Sequence, residues 1–100
     1  MKLYSWTVDP NGSETTIGTM SLSAQVISAR GGSDHRGRPW LEITALEPGD
    51  QPNTERTFRA FDEADTVPDG WKLSAVAQST QGWQWFVFEK EPAAKDYDGP

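Results

Sequence analysis

From Trp71 to Gln78 the chain alternates: Trp71, Leu73, Ala75 and Ala77 are separated by Lys72, Ser74, Val76 and Gln78. Apolar residues at every second position predict a strand with one buried face. After the turn sequence Ser79-Thr80-Gln81-Gly82, Trp83 to Phe88 is apolar or aromatic at every position but Gln84. Such a run predicts a strand covered on both sides, or one whose outer face meets a partner. Trp83 and Trp85 fall on one face, and Phe86 and Phe88 on the other. Pro68-Asp69-Gly70 turns the chain into this final β-hairpin, which carries three of the five tryptophans.

The same period runs through the rest of the chain. Lys2 to Val8 predicts a first strand, with Tyr4, Trp6 and Val8 on the inward side and Leu3, Ser5 and Thr7 on the other. Asp9-Pro10-Asn11-Gly12 is a turn. Proline presets φ, Asn and Gly tolerate positive φ, and Asp bonds back to the backbone. Glu14 to Gly18 reads as a short return strand, Gly18 to Leu22 is weakly specified, and Ala24 to Ala29 is a third strand. Gly31 to Pro39, with three glycines, reads as a long mobile loop. Trp40 to Leu46 is a fourth strand with Leu41, Ile43 and Ala45 on one face. Glu47 to Asn53 reads as a loop, because its prolines and acids oppose regular structure. Thr54 to Phe61 is a fifth strand, and Asp62 to Asp65 is at most one short helical turn. Together these elements predict a mainly β protein, a small antiparallel meander forming a sandwich or open barrel. Residues 1–90 make one β-rich domain, and 91–100 read as a flexible acidic tail.

A chain of 100 residues is one domain with a modest core. The absence of cysteine excludes disulfides and thiolate metal sites, and fits a reducing compartment. No segment approaches the roughly 18 apolar residues of a membrane span, and Met1 to Val8 alternates where a signal peptide would be uniformly apolar. The expectation is an intracellular protein. A net charge of −6 argues against direct binding to nucleic acid. The acids crowd between Glu47 and Asp69, which admits mimicry of nucleic acid as an alternative.

Chemistry-bearing motifs are few. Ser33-Asp34-His35 contains the residue types of a hydrolase triad, but consecutive loop residues seldom face one another as a triad requires. One histidine is too few for an ordinary zinc site, and no acid run has the spacing and bend glycine of a calcium loop. Asp62-Glu63-Ala64-Asp65 spells a helicase motif, yet no phosphate-cradling loop accompanies it. No catalytic residue, metal or cofactor is therefore expected. Two contact candidates remain. Arg36 and Arg38, with His35 and Arg30 nearby, form a basic patch that leads into Trp40, and Arg and Trp are enriched at binding hot spots. Trp83 and Trp85 form an aromatic pair on the last strand, suited to a protein partner or, with Gln81 and Gln84, to a sugar ring.

Three blocks in order resemble a family of small uncharacterised β-rich proteins of actinobacteriophages. They are KLYSWTVDPNG with Ser23 to Ile27; Gly37-Arg38-Pro39-Trp40-Leu41 with Glu55-Arg56-Thr57-Phe58-Arg59; and Val67-Pro68-Asp69-Gly70-Trp71 with Phe86-Val87-Phe88-Glu89. The family pattern often has Gly-x-Gly-His before the Pro-x-Gly-Trp turn. Here Phe61-Asp62-Glu63-Ala64-Asp65 stands in that place, so no polar site carries over. The resemblance implies phage origin and a compact β fold, and no activity. The combined expectation is a non-enzymatic accessory protein in the host cytoplasm that binds a host or phage protein through Arg36, Arg38, Trp40, Trp83 and Trp85. A virion structural or decoration module is the alternative.

Overall fold

A computed structural model describes residues 1–49, 52–79 and 82–91. The protein is all-β. Among the described residues seven strands form: β1 (Lys2–Thr7), β2 (Thr15–Ser21), β3 (Gln25–Ser33), β4 (Pro39–Glu47), β5 (Asn53–Phe61), β6 (Trp71–Gln78) and β7 (Gln84–Lys90). All pairings are antiparallel. They build two sheets, ordered β1-β4-β3 and β2-β5-β7-β6, which pack as a small sandwich. Only β3–β4 and β6–β7 join as sequential hairpins. After β1 the Asp9–Gly12 turn carries the chain into the other sheet, so β2 returns against β5 and not against β1.

That turn works as its residues dictate. The Asn11 N–H donates to Asp9 Oδ1 at 2.7 Å, and Gly12 takes φ +96°, a conformation costly for residues with a Cβ. Val8 then extends the β1–β4 ladder by donating its N–H to the Leu41 carbonyl at 2.9 Å.

The core lies between the sheets. The alternation of β4 buries Leu41, Ile43 and Ala45 completely, and Phe58, Ala60, Trp85 and Val87 meet them from β5 and β7. Of the predicted inward set on β1, Val8 is buried and Trp6 half-buried, but Tyr4 is 48% exposed. Tyr4 lies toward the β1 end, where the sandwich opens.

Two segments read as loops, and one weakly specified in sequence, are partly strand. Gly31, Gly32 and Ser33 continue β3, and Pro39 opens β4, so the predicted long mobile loop shrinks to Asp34–Arg38. The Asp34 carboxylate orders that turn by accepting the N–H groups of Arg36 and Arg38 at 2.8 and 2.9 Å. The glycines serve packing. A Cβ on Gly31 would lie 2.8 Å from Trp85 Cε3 and 2.9 Å from the Trp40 carbonyl, so the indole needs bare backbone beneath it. Gly18 to Ser21, weakly specified in sequence, completes β2 through a bulge between Ile17 and Met20. Glu47 ends β4 and is buried. Asp62–Asp65 forms a hydrogen-bonded turn, with the Asp65 N–H donating to the Asp62 carbonyl at 3.1 Å, and no helix. The tail beyond Glu91 lies outside the described residues.

Candidate functional site

Three surfaces hold the chemistry that the core does not consume. The first is the outer face of the β5-β7-β6 sheet. Register places Phe61 opposite Phe86, and Phe86 opposite Val76. Leu73 stands opposite Phe88, and a bulge between Leu73 and Ala75 shifts the alternation of β6. Leu73 and Val76 therefore point outward while Ala75 and Ala77 point inward. Phe61 is the hub of the face. It meets Phe88 edge-on at 5.3 Å and Trp71 at 6.0 Å, within the range of favourable aromatic pairs. Arg59 lies over the Phe61 ring at 4.6 Å and donates through Nε to the Gly12 carbonyl at 2.7 Å. Leu73 is left 50% exposed and Val76 42%.

The second surface is a groove at the end of the sandwich where the Asp9–Gly12 turn, the start of β4, the Asp62–Asp65 turn and the start of β7 converge. Its volume is about 430 Å³. Trp83 and Gln84 line it beside Asp62 and Asp65. Trp83 meets Trp85 edge-to-face at 5.9 Å and 84°, and Trp85 is anchored by donating Nε1–H to the Pro10 carbonyl at 3.2 Å. Both aspartates also serve their own turn: Asp62 Oδ1 accepts the Ala64 N–H and Asp65 Oδ2 accepts the Asp62 N–H.

The third surface is a groove of about 410 Å³ toward the opposite end, lined by Tyr4, Trp6, Thr19, Glu47, Gly49 and Asn53. The Tyr4 and Trp6 rings stand 6.1 Å apart, tilted by 47°. The Trp6 indole donates Nε1–H to Thr19 Oγ1 at 3.0 Å, which fixes the plane of its ring.

Known proteins add nothing to this geometry: the chain matches no family model, no curated protein and no solved structure.

The predicted contact residues fall in different places. Trp85 is buried at 7% exposure, because β7 turns its tryptophan and valine inward and its phenylalanines outward. That corrects its assignment to a contact surface. Trp83, just before the strand, is 44% exposed at the mouth of the end groove. Arg36 and Arg38 are exposed on the β3–β4 turn, close in sequence to Pro39, which also lines that groove. Trp40 lies on the outer face of the other sheet, across Gly32, with Arg30 at 5.9 Å from its ring. Arg30 also forms an ion pair with Glu42 at 2.9 Å.

Ser33, Asp34 and His35 share no side-chain hydrogen bond among the described residues, and Asp34 is spent on its turn. Among the described residues no group of three or more His, Cys, Asp or Glu could hold a metal ion. The acids between Glu47 and Asp69 do not form one row: Glu47 is buried at one end of the sandwich, and Asp62 and Asp65 lie at the other. Gln81, considered for sugar contact, lies outside the described residues. The outward aromatic face was missed as a site. The uniformly apolar run of β7 was its signal, but the larger tryptophans drew the assignment away from the phenylalanines.

Proposed function

We propose that this is a non-enzymatic accessory protein that works by binding another protein, a host factor or a phage subunit, through the outer face of the β5-β7-β6 sheet. One observation carries the reading. Leu73 and Val76 are exposed beside half-buried Phe86, Phe88 and Trp71 on the solvent side of a sheet whose other side already fills the core. Contiguous apolar surface of this kind marks interaction sites. Aromatic anchors held edge-on by neighbours lose little freedom on binding. Arg36, Arg38 and Trp83 remain exposed as a second candidate contact. The resemblance to actinobacteriophage proteins makes an actinobacterial lysate the sample in which to look.

The test is affinity capture from that lysate with the wild type and with Leu73→Asp/Val76→Asp, read by mass spectrometry. A protein retained by the wild type and lost by the double variant supports the reading. Retention by the double variant and loss with Trp83→Ala or Arg38→Ala moves the contact to the loop end. Equal capture by all of them defeats both assignments. A second copy of the chain could cover the same apolar face, as a virion module would require. A dimer in light scattering that dissociates on Leu73→Asp favours that alternative.

A further inference from the structure

We propose that the groove between Tyr4, Trp6 and Glu47 binds an alkylated ammonium ion. The inference does not depend on the apolar sheet face, which is a separate surface.

Glu47 occupies the β4 position that continues the inward series Leu41, Ile43 and Ala45, where an apolar residue belongs. It is only 7% exposed. A carboxylate so placed is costly unless donors or a cation compensate it. Glu47 receives one hydrogen bond, from the Ser21 N–H to Oε2 at 2.8 Å. Among the described residues Oε1 has no hydrogen bond, and it is not sealed from the groove. Among the described residues no cation reaches it. Lys2 stands opposite Glu47 in the β1–β4 ladder but is exposed and pairs with none of the described acids, and Arg56 is committed to Glu89. No described Lys, Arg or His lines the groove.

The walls define which cation fits. Two aromatic rings, one held by Thr19, line the same groove as the carboxylate, and aromatic rings attract positive charge. A calcium or magnesium ion needs several oxygen ligands, and one free carboxylate oxygen is too few. A guanidinium prefers both oxygens of a carboxylate, and Oε2 is held by Ser21. An ammonium ion wearing methyl or alkyl groups asks for neither. It needs aromatic contact around its apolar shell and one nearby negative charge. A free quaternary amine and an N-methylated lysine side chain both meet that description.

The experiment follows the Trp6 indole N–H by NMR while choline is added. Parallel titrations use a short peptide carrying Nε-trimethyl-lysine and the uncharged choline isostere 3,3-dimethylbutanol. Expected is a saturable shift with choline, with a dissociation constant on the order of millimolar, and none with the isostere. Glu47→Gln retains an acceptor for Ser21 yet removes the charge, and should weaken binding about tenfold. Tyr4→Ala, at an exposed ring, should weaken it similarly with an unchanged melting temperature. A peptide that binds at least as tightly as choline identifies a partner's methylated lysine as the source. A weaker peptide identifies a free amine. No saturable shift with either ligand, an equal response to the neutral isostere, or full binding by Glu47→Gln would overturn the proposal.

Discussion

The two sheets share one core and differ on their outer faces. On β1-β4-β3 the outward positions mix polar pairs with single apolar residues: Ser5 bonds Thr44 across the ladder at 2.9 Å, Arg30 pairs with Glu42, and Leu3 and Trp40 stand exposed. On β5-β7-β6 Phe86, Phe88, Trp71, Leu73 and Val76 turn outward around Phe61, which their packing leaves only 2% exposed. Strand β4 buries Leu41, Ile43 and Ala45 on one face and mixes Trp40 and Leu46 with Glu42 and Thr44 on the other. On strand β7, Trp85 and Val87 serve the core while Phe86 and Phe88 serve the surface. The β5-β7-β6 face differs in gathering its apolar residues into one cluster around Phe61.

Substitutions can break this comparison. Phe58→Ala empties the shared core and should cost about 3–5 kcal/mol in urea unfolding. Gly31→Ala drives a methyl into Trp85 and the Trp40 carbonyl, and should cost about 1–3 kcal/mol in the same assay. Leu73→Asp or Val76→Asp should shift stability by only about 0.5 kcal/mol, while weakening capture of the partner. A loss of several kcal/mol there would mean that the outer face is structural, and the contrast between the sheets would fall. Thr44→Ala, on the outer face of the other sheet, should change stability by less than about 0.5 kcal/mol and leave capture intact.

The pairwise pattern of the chain made most strands legible. Leu41, Ile43 and Ala45 declared their common face, and Asp9-Pro10-Asn11-Gly12 declared its turn. What stayed hidden depended on partners far away in sequence. Gly31 and Gly32 carry the local mark of a loop, and only the Trp85 indole and the Trp40 carbonyl beside it explain why Gly31 stands inside a strand. Glu47, beside Pro48 and Gly49, carries the mark of a loop acid, and only Ser21 from another strand shows why it is buried. On β7 both faces are apolar, so period alone could not say whether the tryptophans or the phenylalanines turn inward. Strand order was equally closed, because register is written in pairings and not in any one segment.

Arg56 has a further consequence, for the order of assembly. Its side chain, 11% exposed, grips both oxygens of Glu89 and also donates to the carbonyls of Ser21 and Ala24. Three stretches far apart in the chain meet at one guanidinium. β1 likewise waits for β4, and β2 for β5. Chains ruled by such distant pairings fold slowly, on the order of milliseconds to seconds. During synthesis the amino-terminal strands must emerge and linger without their mates. Glu89 lies on β7, so the clasp cannot form until all seven strands have been synthesised.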